Sequence, residues 1–331
     1  MLPLNRCSCG VKLQDVKAFL IGMFLVFMVE IIIDTARYSS DCSINGRDNL
    51  KPQPSYFGTV DLSYAKNLAS TIHIYCFILT EPSQFKSQYH VQNTWVRRCT
   101  RYGFVTHGND KLLRILDAKH SDRKYKRRSW NTMRTTLRAL YEQKDEQSFY
   151  LKADFDTYIV MENVRYMLKQ EDPNKPFILG HVHNPGPHGD KLSGSAGYVI
   201  SRKALELIVS KGLGQKTECG EVDRNEDEQI SICAESVGVE VRDSFDFLGK
   251  SRFSNVSIGE LLGPYANNTP RWYPEESDYT LPKYDLHKLP ASPLLVSFAG
   301  IDGTMMYVLE YLLYHLRPTG ITHKWLYQNT N

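Results

Sequence analysis

Residues 70–331 switch repeatedly between two hydrophobic periods, and each switch marks an element. "TIHIYCFILT", from Thr71, is a run of β-branched and aromatic residues that stops at Glu81-Pro82, which predicts a strand. "SQFKSQYHVQNTWVRRC" follows with helical spacing, and "GFVTHG" and "LLRILDA" are predicted as two short strands. In "SWNTMRTTLRALYEQ", Trp130, Met133, Leu137, Leu140 and Tyr141 share one face of an amphipathic helix. "SFYLKAD" predicts a strand, "MENVRYMLKQ" a helix, and "PFILG" and "AGYVIS" two more strands. "RKALELIVSKG" reads as a helix ended by Gly212. Alternating strands and helices predict an α/β domain with a mostly parallel central sheet flanked by helices. Such sheets collect ligands at the carboxyl ends of their strands.

Two acids stand at one such end. "YLKADFDTYIV" runs apolar up to Asp154 and places a second carboxylate at Asp156. One reading makes Asp156 the N-cap of the following helix, with Glu162 in its first turn. The other gives both acids a divalent cation beside a diphosphate, and oxygen ligands suit Mn²⁺ or Mg²⁺. A second acidic group, Glu226, Asp227 and Glu228, precedes the helical segment "QISIC". These acids either complement a helix dipole or supply a general base.

The first residues change the setting. Arg6, Lys12 and Lys17 precede "AFLIGMFLVFMVEIII", an apolar run interrupted by Glu30. The charge bias predicts a cytosolic tail over 1–15 and a transmembrane signal anchor over 16–34. A cleaved signal peptide is the alternative, and both send the rest of the chain into the secretory lumen. Residues 35–69 are polar, contain Pro and Gly and lack periodicity, so they read as a stem before a lumenal domain over 70–331. Cys76, Cys99, Cys219 and Cys233 form an even set suited to two bridges in an oxidising compartment. The sequons at Asn255 and Asn267 fit the same compartment.

Composition narrows the function by exclusion. A chain of 331 residues with 42% hydrophobic and 23% charged content has enough material for a sizeable core. A net charge of +3 gives no case for nucleic acid as a partner. The basic run 122–128, behind a membrane anchor, reads as a solvated or phosphate-facing edge. His181, His183 and His188 lie in a turn-rich loop and read as solvated. No G-x-S-x-G elbow, P-loop or G-x-G-x-x-G occurs, which weakens hydrolase, NTPase and dehydrogenase readings.

From about residue 70 to 320 the chain resembles the core 1 β1,3-galactosyltransferases, the glycoprotein-N-acetylgalactosamine 3-β-galactosyltransferases. The resemblance rests on "YLKADFDTYIVMENVRYML", "LSGSAGYVISRKAL", "NEDEQISIC" and "TMMYVLEYLLYHLRPTG" in that order. It implies a GT-A glycosyltransferase fold in a single-pass type II protein of the Golgi, or endoplasmic reticulum, membrane. The implied donor is UDP-galactose and the implied acceptor a glycoprotein carrying O-linked N-acetylgalactosamine, with a homodimer as a candidate assembly. Asp154 and Asp156 match the metal-binding acids, with Asp156 as the direct Mn²⁺ ligand and Asp154 nearer the nucleotide. Asp227 matches the catalytic base, and Pro82, Trp130, Asp154 and Gly197 match donor-binding positions. In "SGSAG" the small residues would let backbone approach the donor. The implied bridges are Cys76–Cys99 and Cys219–Cys233.

The departures from that pattern leave a second reading open. The middle acid of the usual triple is Phe155, and the His that resembles a metal ligand is Ala299. A Lys expected after Trp130 is Asn131, and the aromatic acceptor-facing stretch is reduced to "RWYP" around Trp272. The same family includes a non-catalytic lumenal chaperone that also lacks the histidine. A chaperone or pseudoenzyme is therefore the alternative to an inverting transferase.

Overall fold

The structure, a computed structural model, describes residues 28, 61–81, 85–106, 111–118, 126, 128–143, 147–186, 189–214, 218–220, 222, 224–262 and 291–316. The anchor predicted over 16–34 (Met28 apart), Pro82, His188, Asn267 and Trp272 lie outside these residues. No helix among the described residues is long and apolar enough to cross a membrane.

In chain order the strands are β1 (Ile74–Leu79), β2 (Arg101–Val105), β3 (Phe149–Asp154), β4 (Tyr158–Ile159), β5 (Phe177–Gly180), β6 (Val182–Gly186), β7 (Gly189–Leu192), β8 (Tyr198–Ser201), β9 (Glu240–Asp243) and β10 (Ser297–Phe298). The helices are α1 (Ser63–Thr71), α2 (Phe85–Asn93), α3 (Trp130–Glu142), α4 (Met161–Leu168), α5 (Arg202–Leu207), α6 (Glu226–Ser236), α7 (Ile258–Leu262) and α8 (Gly303–Tyr314). Six strands form one sheet in the order β2-β1-β3-β8-β5-β9.

The central strands are buried on both faces, which explains their unbroken apolar runs. Along β1, Ile74, Cys76 and Ile78 enter one core, while Tyr75, Phe77 and Leu79 enter the other. The first core takes residues from α1, α4 and α8, and the second from α3, α5 and α6. α3 buries Trp130, Met133, Leu137 and Leu140 as its spacing predicts, but Tyr141 is exposed because it lies one position round from Leu140. α1 lies within the segment read as stem and domain start, and its Leu68 is buried in the first core.

The sheet carries one reversal, and two of these expectations need correction. The sheet is mostly parallel as expected, with β1–β2, β1–β3 and β5–β9 parallel, but β8 runs antiparallel to both β3 and β5. Between β5 and β8 the chain forms the separate β6–β7 hairpin and then re-enters the sheet beside β5 in the opposite direction. "LLRILDA" makes only an isolated bridge from Ile115 to Phe104, with Leu113 and Leu116 buried beneath it. Gly212 is not a left-handed helix cap. It ends the π-helical turn Ile208–Gly212, where a Cβ would lie 2.5 Å from Cys219 Sγ. Both bridges form as the family resemblance implies, Cys76–Cys99 and Cys219–Cys233.

A polar clamp holds α8 to the sheet side of the domain. Arg98 forks onto Glu310, with Nη1 3.1 Å from Oε2, and its guanidinium stacks 3.7 Å from the Tyr314 ring. Tyr158 donates to Glu310 at 2.7 Å, and Tyr314 donates to Glu162 at 2.6 Å. Beside the clamp, β10 pairs with β4, and Ile301 N–H donates to the Asp156 carbonyl at 2.8 Å.

Candidate active site

β3 carries Lys152 on its second-core face, where "SFYLKAD" would otherwise continue apolar. The side chain is fully buried. Its ammonium lies 2.9 Å from Asp154 Oδ1 and 2.8 Å from Glu226 Oε1, and donates to Gly194 O at 2.7 Å. One hydrogen bond and two ion-pair contacts surround the ammonium, which is the condition for burying it. Burial opposes the charge, but Asp154 and Glu226 outweigh it and hold the lysine pKa above its ordinary value. Glu226 is also buried, and the loss of water raises its pKa even against Lys152. Tyr198, at the start of β8, donates its hydroxyl to Glu226 Oε2 at 2.5 Å.

The other oxygen of Asp154 faces Arg128. Nε and Nη2 lie 3.1 and 3.0 Å from Asp154 Oδ2, and the arginine side chain is 44% exposed while Asp154 is fully buried. Asp156 and Asp227 also act electrostatically on that guanidinium. Arg128 thus stands among three carboxylates at the carboxyl end of β3.

Asp156 is half-buried beyond the end of β3. It does not cap a helix: β4 intervenes, α4 begins at Met161, and the N-cap is Val160 with no side-chain bond. Its neighbour Thr157 donates Oγ1 to Ser195 O at 3.1 Å, tying this turn to the glycine-rich link. Ala299 is buried one residue after β10, between the Phe298–Tyr158 pair and the Ile301–Asp156 bond. The position lacking histidine therefore does lie beside Asp156.

Asp227 sits in the first turn of α6, half-buried where Glu226 is enclosed. Oδ2 accepts from Gly194 N–H at 3.0 Å and Oδ1 from Glu228 N–H at 2.9 Å. Each oxygen keeps a second lone pair. Glu228 pairs with Lys191 at 3.0 Å. The first-turn acids therefore do more than complement the helix dipole, because two of the three belong to the site.

The glycines serve this cluster directly. A Cβ at Gly194 would lie 2.7 Å from Glu226 Oε1 and 2.9 Å from Asp227 Oδ2. At Gly197 φ is +79°, and a Cβ would lie 2.7 Å from Lys152 O. The close approach that these small residues permit is to Glu226 and Asp227 at Gly194 and to the Lys152 carbonyl at Gly197. Trp130, expected at the donor, is fully buried and donates its indole N–H to Gly220 O at 3.0 Å. In this structure the indole belongs to the core. Sequence patterning does not single out Lys152 or Arg128. A charged residue inside a buried strand was the available signal for the first, whereas Arg128 is one of several cations in a basic run.

Mn²⁺ does not fit the acids as they stand. Asp154 is enclosed, with Lys152 on one oxygen and Arg128 on the other, and Ala299 offers no ligand atom. Among the described residues, no three of His, Cys, Asp and Glu come together in a metal-holding group.

The fold and this cluster define an α/β domain of the class that receives ligands at the carboxyl edge of its sheet. Over 273 residues the chain is 30% identical to glycoprotein-N-acetylgalactosamine 3-beta-galactosyltransferase 1 of Xenopus laevis, covering 80% of this chain and 72% of the frog protein. The chain belongs to that galactosyltransferase family, as a divergent member. No protein-family model matches it. Among solved structures, a mutant of Drosophila beta-1,4-galactosyltransferase 7 in complex with manganese, UDP-Gal and xylobiose is similar at 12% identity and a TM-score of 0.30. That match covers 51% of this chain and 64% of the fly chain, less than two thirds of its length. A glycosyltransferase involved in glycosylation of the PBCV-1 major capsid is similar at 12% identity and a TM-score of 0.32, over 53% and 83% of the two chains. Likenesses this distant leave the assignment to the sequence relationship.

Proposed function

We propose that this chain is a UDP-sugar-dependent, inverting glycosyltransferase of the GT-A type that transfers galactose in β1,3 linkage to O-linked N-acetylgalactosamine on glycoproteins. The observation that carries the reading is Asp227. The carboxylate is half-buried at the sheet's carboxyl edge, oriented by two backbone N–H groups and braced by the enclosed Glu226–Lys152–Asp154 chain. In this reading it takes the proton from the acceptor hydroxyl as that oxygen attacks the anomeric carbon of the donor, and the nucleoside diphosphate leaves from the opposite face. One displacement turns an α-linked donor into a β-linked product. The body of the protein is placed in the Golgi or endoplasmic-reticulum lumen behind a single-pass anchor, with Asn255 as a glycan acceptor.

The test is sugar transfer by the full chain from UDP-galactose to a peptide bearing α-linked N-acetylgalactosamine, with linkage read by β1,3-specific digestion and by NMR. Transfer that disappears in Asp227→Asn supports the reading, and a chain inert toward every UDP-sugar offered removes it. A second reading has two observations in its favour: Ala299 beside Asp156 and the double pairing of Asp154 are what a non-catalytic relative would tolerate.

A further inference from the structure

The contact chain Arg128–Asp154–Lys152–Glu226 is balanced, with two cations against two carboxylates. Asp154 has one cation on each oxygen. Both arginine nitrogens on Asp154 reach the same oxygen, so the guanidinium meets that acid by one edge. Its third nitrogen, Nη1, has no partner among the described residues, on a side chain 44% exposed. Asp156 and Asp227 bear on the same guanidinium from outside this pair. A cation held on Asp154, and within electrostatic reach of Asp156 and Asp227, has the position a divalent ion would need. A second cation placed there would meet Arg128 first and would gain little from an already neutralised Asp154.

We infer that Arg128 stands in the place of a divalent cation in this acid cluster, so that a nucleoside diphosphate is met at this edge by the arginine and not by a metal. The inference rests on the donor reading above for the nucleotide, but its first half concerns the acids alone. Guanidinium suits this role because it cannot lose its proton and presents several N–H groups in a plane to phosphate oxygens. Lys152, being enclosed, holds Asp154 Oδ1 and leaves Oδ2 to Arg128.

Two titrations of the full chain in detergent test this. In the first, Mn²⁺ alone is titrated into the wild type and Arg128→Gln. The variant removes the resident cation while keeping a polar side chain of similar length. Mn²⁺ affinity at least tenfold higher in Arg128→Gln is the expected result; equal or tighter binding by the wild type overturns the inference. In the second, UDP is titrated with EDTA and then with Mn²⁺. The expected affinities agree within about twofold in the wild type, and Arg128→Gln in EDTA loses at least tenfold. UDP binding that EDTA abolishes and Mn²⁺ restores overturns the inference and leaves the transferase reading standing. UDP binding to neither protein, whatever the metal, overturns the donor reading and the nucleotide half with it. The Mn²⁺ titration then still decides whether Arg128 holds the metal's place. Thermal unfolding of the variant, done alongside, separates a lost contact from a lost fold.

Discussion

Lys152 and Glu226 meet at 2.8 Å with neither side chain reaching solvent to any useful degree, one rising from a strand and the other from the first turn of a helix. The pair fixes where α6 begins relative to β3, and with it where Asp227 points. Because both charges are enclosed, removing one strands the other.

Lys152→Met is therefore expected to destabilise the fold by about 3–5 kcal/mol, the cost of breaking a buried ion pair from one side. Urea unfolding measures it. Adding Glu226→Gln to that variant is expected to recover part of the loss, because a neutral partner no longer needs a cation. A single variant within about 1 kcal/mol of the wild type contradicts the buried pair.

Two glycines with nearly the same backbone separate conformation from crowding. Gly197 has φ +79° with Lys152 O in the path of a Cβ, whereas Gly238 has φ +78° and nothing within 4 Å. Gly238→Ala is expected to cost about 1–2 kcal/mol, the penalty of a left-handed backbone. Gly197→Ala is expected to cost clearly more. Thermal or urea unfolding of the pair gives the comparison, and equal losses would show that the contact with Lys152 O does not matter.

Asp227→Asn keeps the shape of the carboxylate and removes its capacity to take a proton. Under the proposed function, turnover is expected to fall about 10²- to 10⁴-fold. UDP affinity is expected to stay close to wild type, while stability falls by about 1–3 kcal/mol because the amide nitrogen cannot accept the N–H of Gly194 or Glu228. A variant that transfers sugar at the normal rate would assign the base elsewhere.

Glu310 gives the clamp a pH dependence. Burial alone would raise its pKa, but the hydrogen bonds from Arg98 and Tyr158 outweigh burial and hold it below the ordinary value. A depressed carboxyl stabilises the fold above the unfolded-state pKa, about 4.3, and that contribution disappears as pH falls through the folded value. Glu310→Gln is thus expected to cost about 1–3 kcal/mol near pH 7. The difference from wild type should shrink steadily below about pH 5. A gap independent of pH would mean that the ionised form is not what Arg98 and Tyr158 hold.

Much of the fold is legible in the sequence because burial on both faces writes continuous apolar runs, as in β1 and β3, and a helix face writes a period, as in α3. The strand direction of β8 is not written that way: apolar residues read alike in either direction, and the return of the chain beside β5 is visible only in the fold. Gly212 looks like a helix stop in sequence but makes room for a disulfide that spacing alone does not place in three dimensions. At the site, Asp154, Asp156 and Asp227 could be named from motif and position. Lys152 could not be given its role, because a cation between two acids from distant segments becomes visible only when β3 and α6 are packed.

The pairing of β10 with β4 and the Ile301–Asp156 bond carry a consequence for biosynthesis. Asp154 and Asp156 leave the ribosome near the middle of the chain, but the strand that fixes their turn, and the helix clamped by Glu310, arrive only with residues 297–314. A nascent chain thus holds its acids in an unfinished turn until residues 297–314 have been made. A stop before residue 297 should be as damaging as a lesion in the acids themselves.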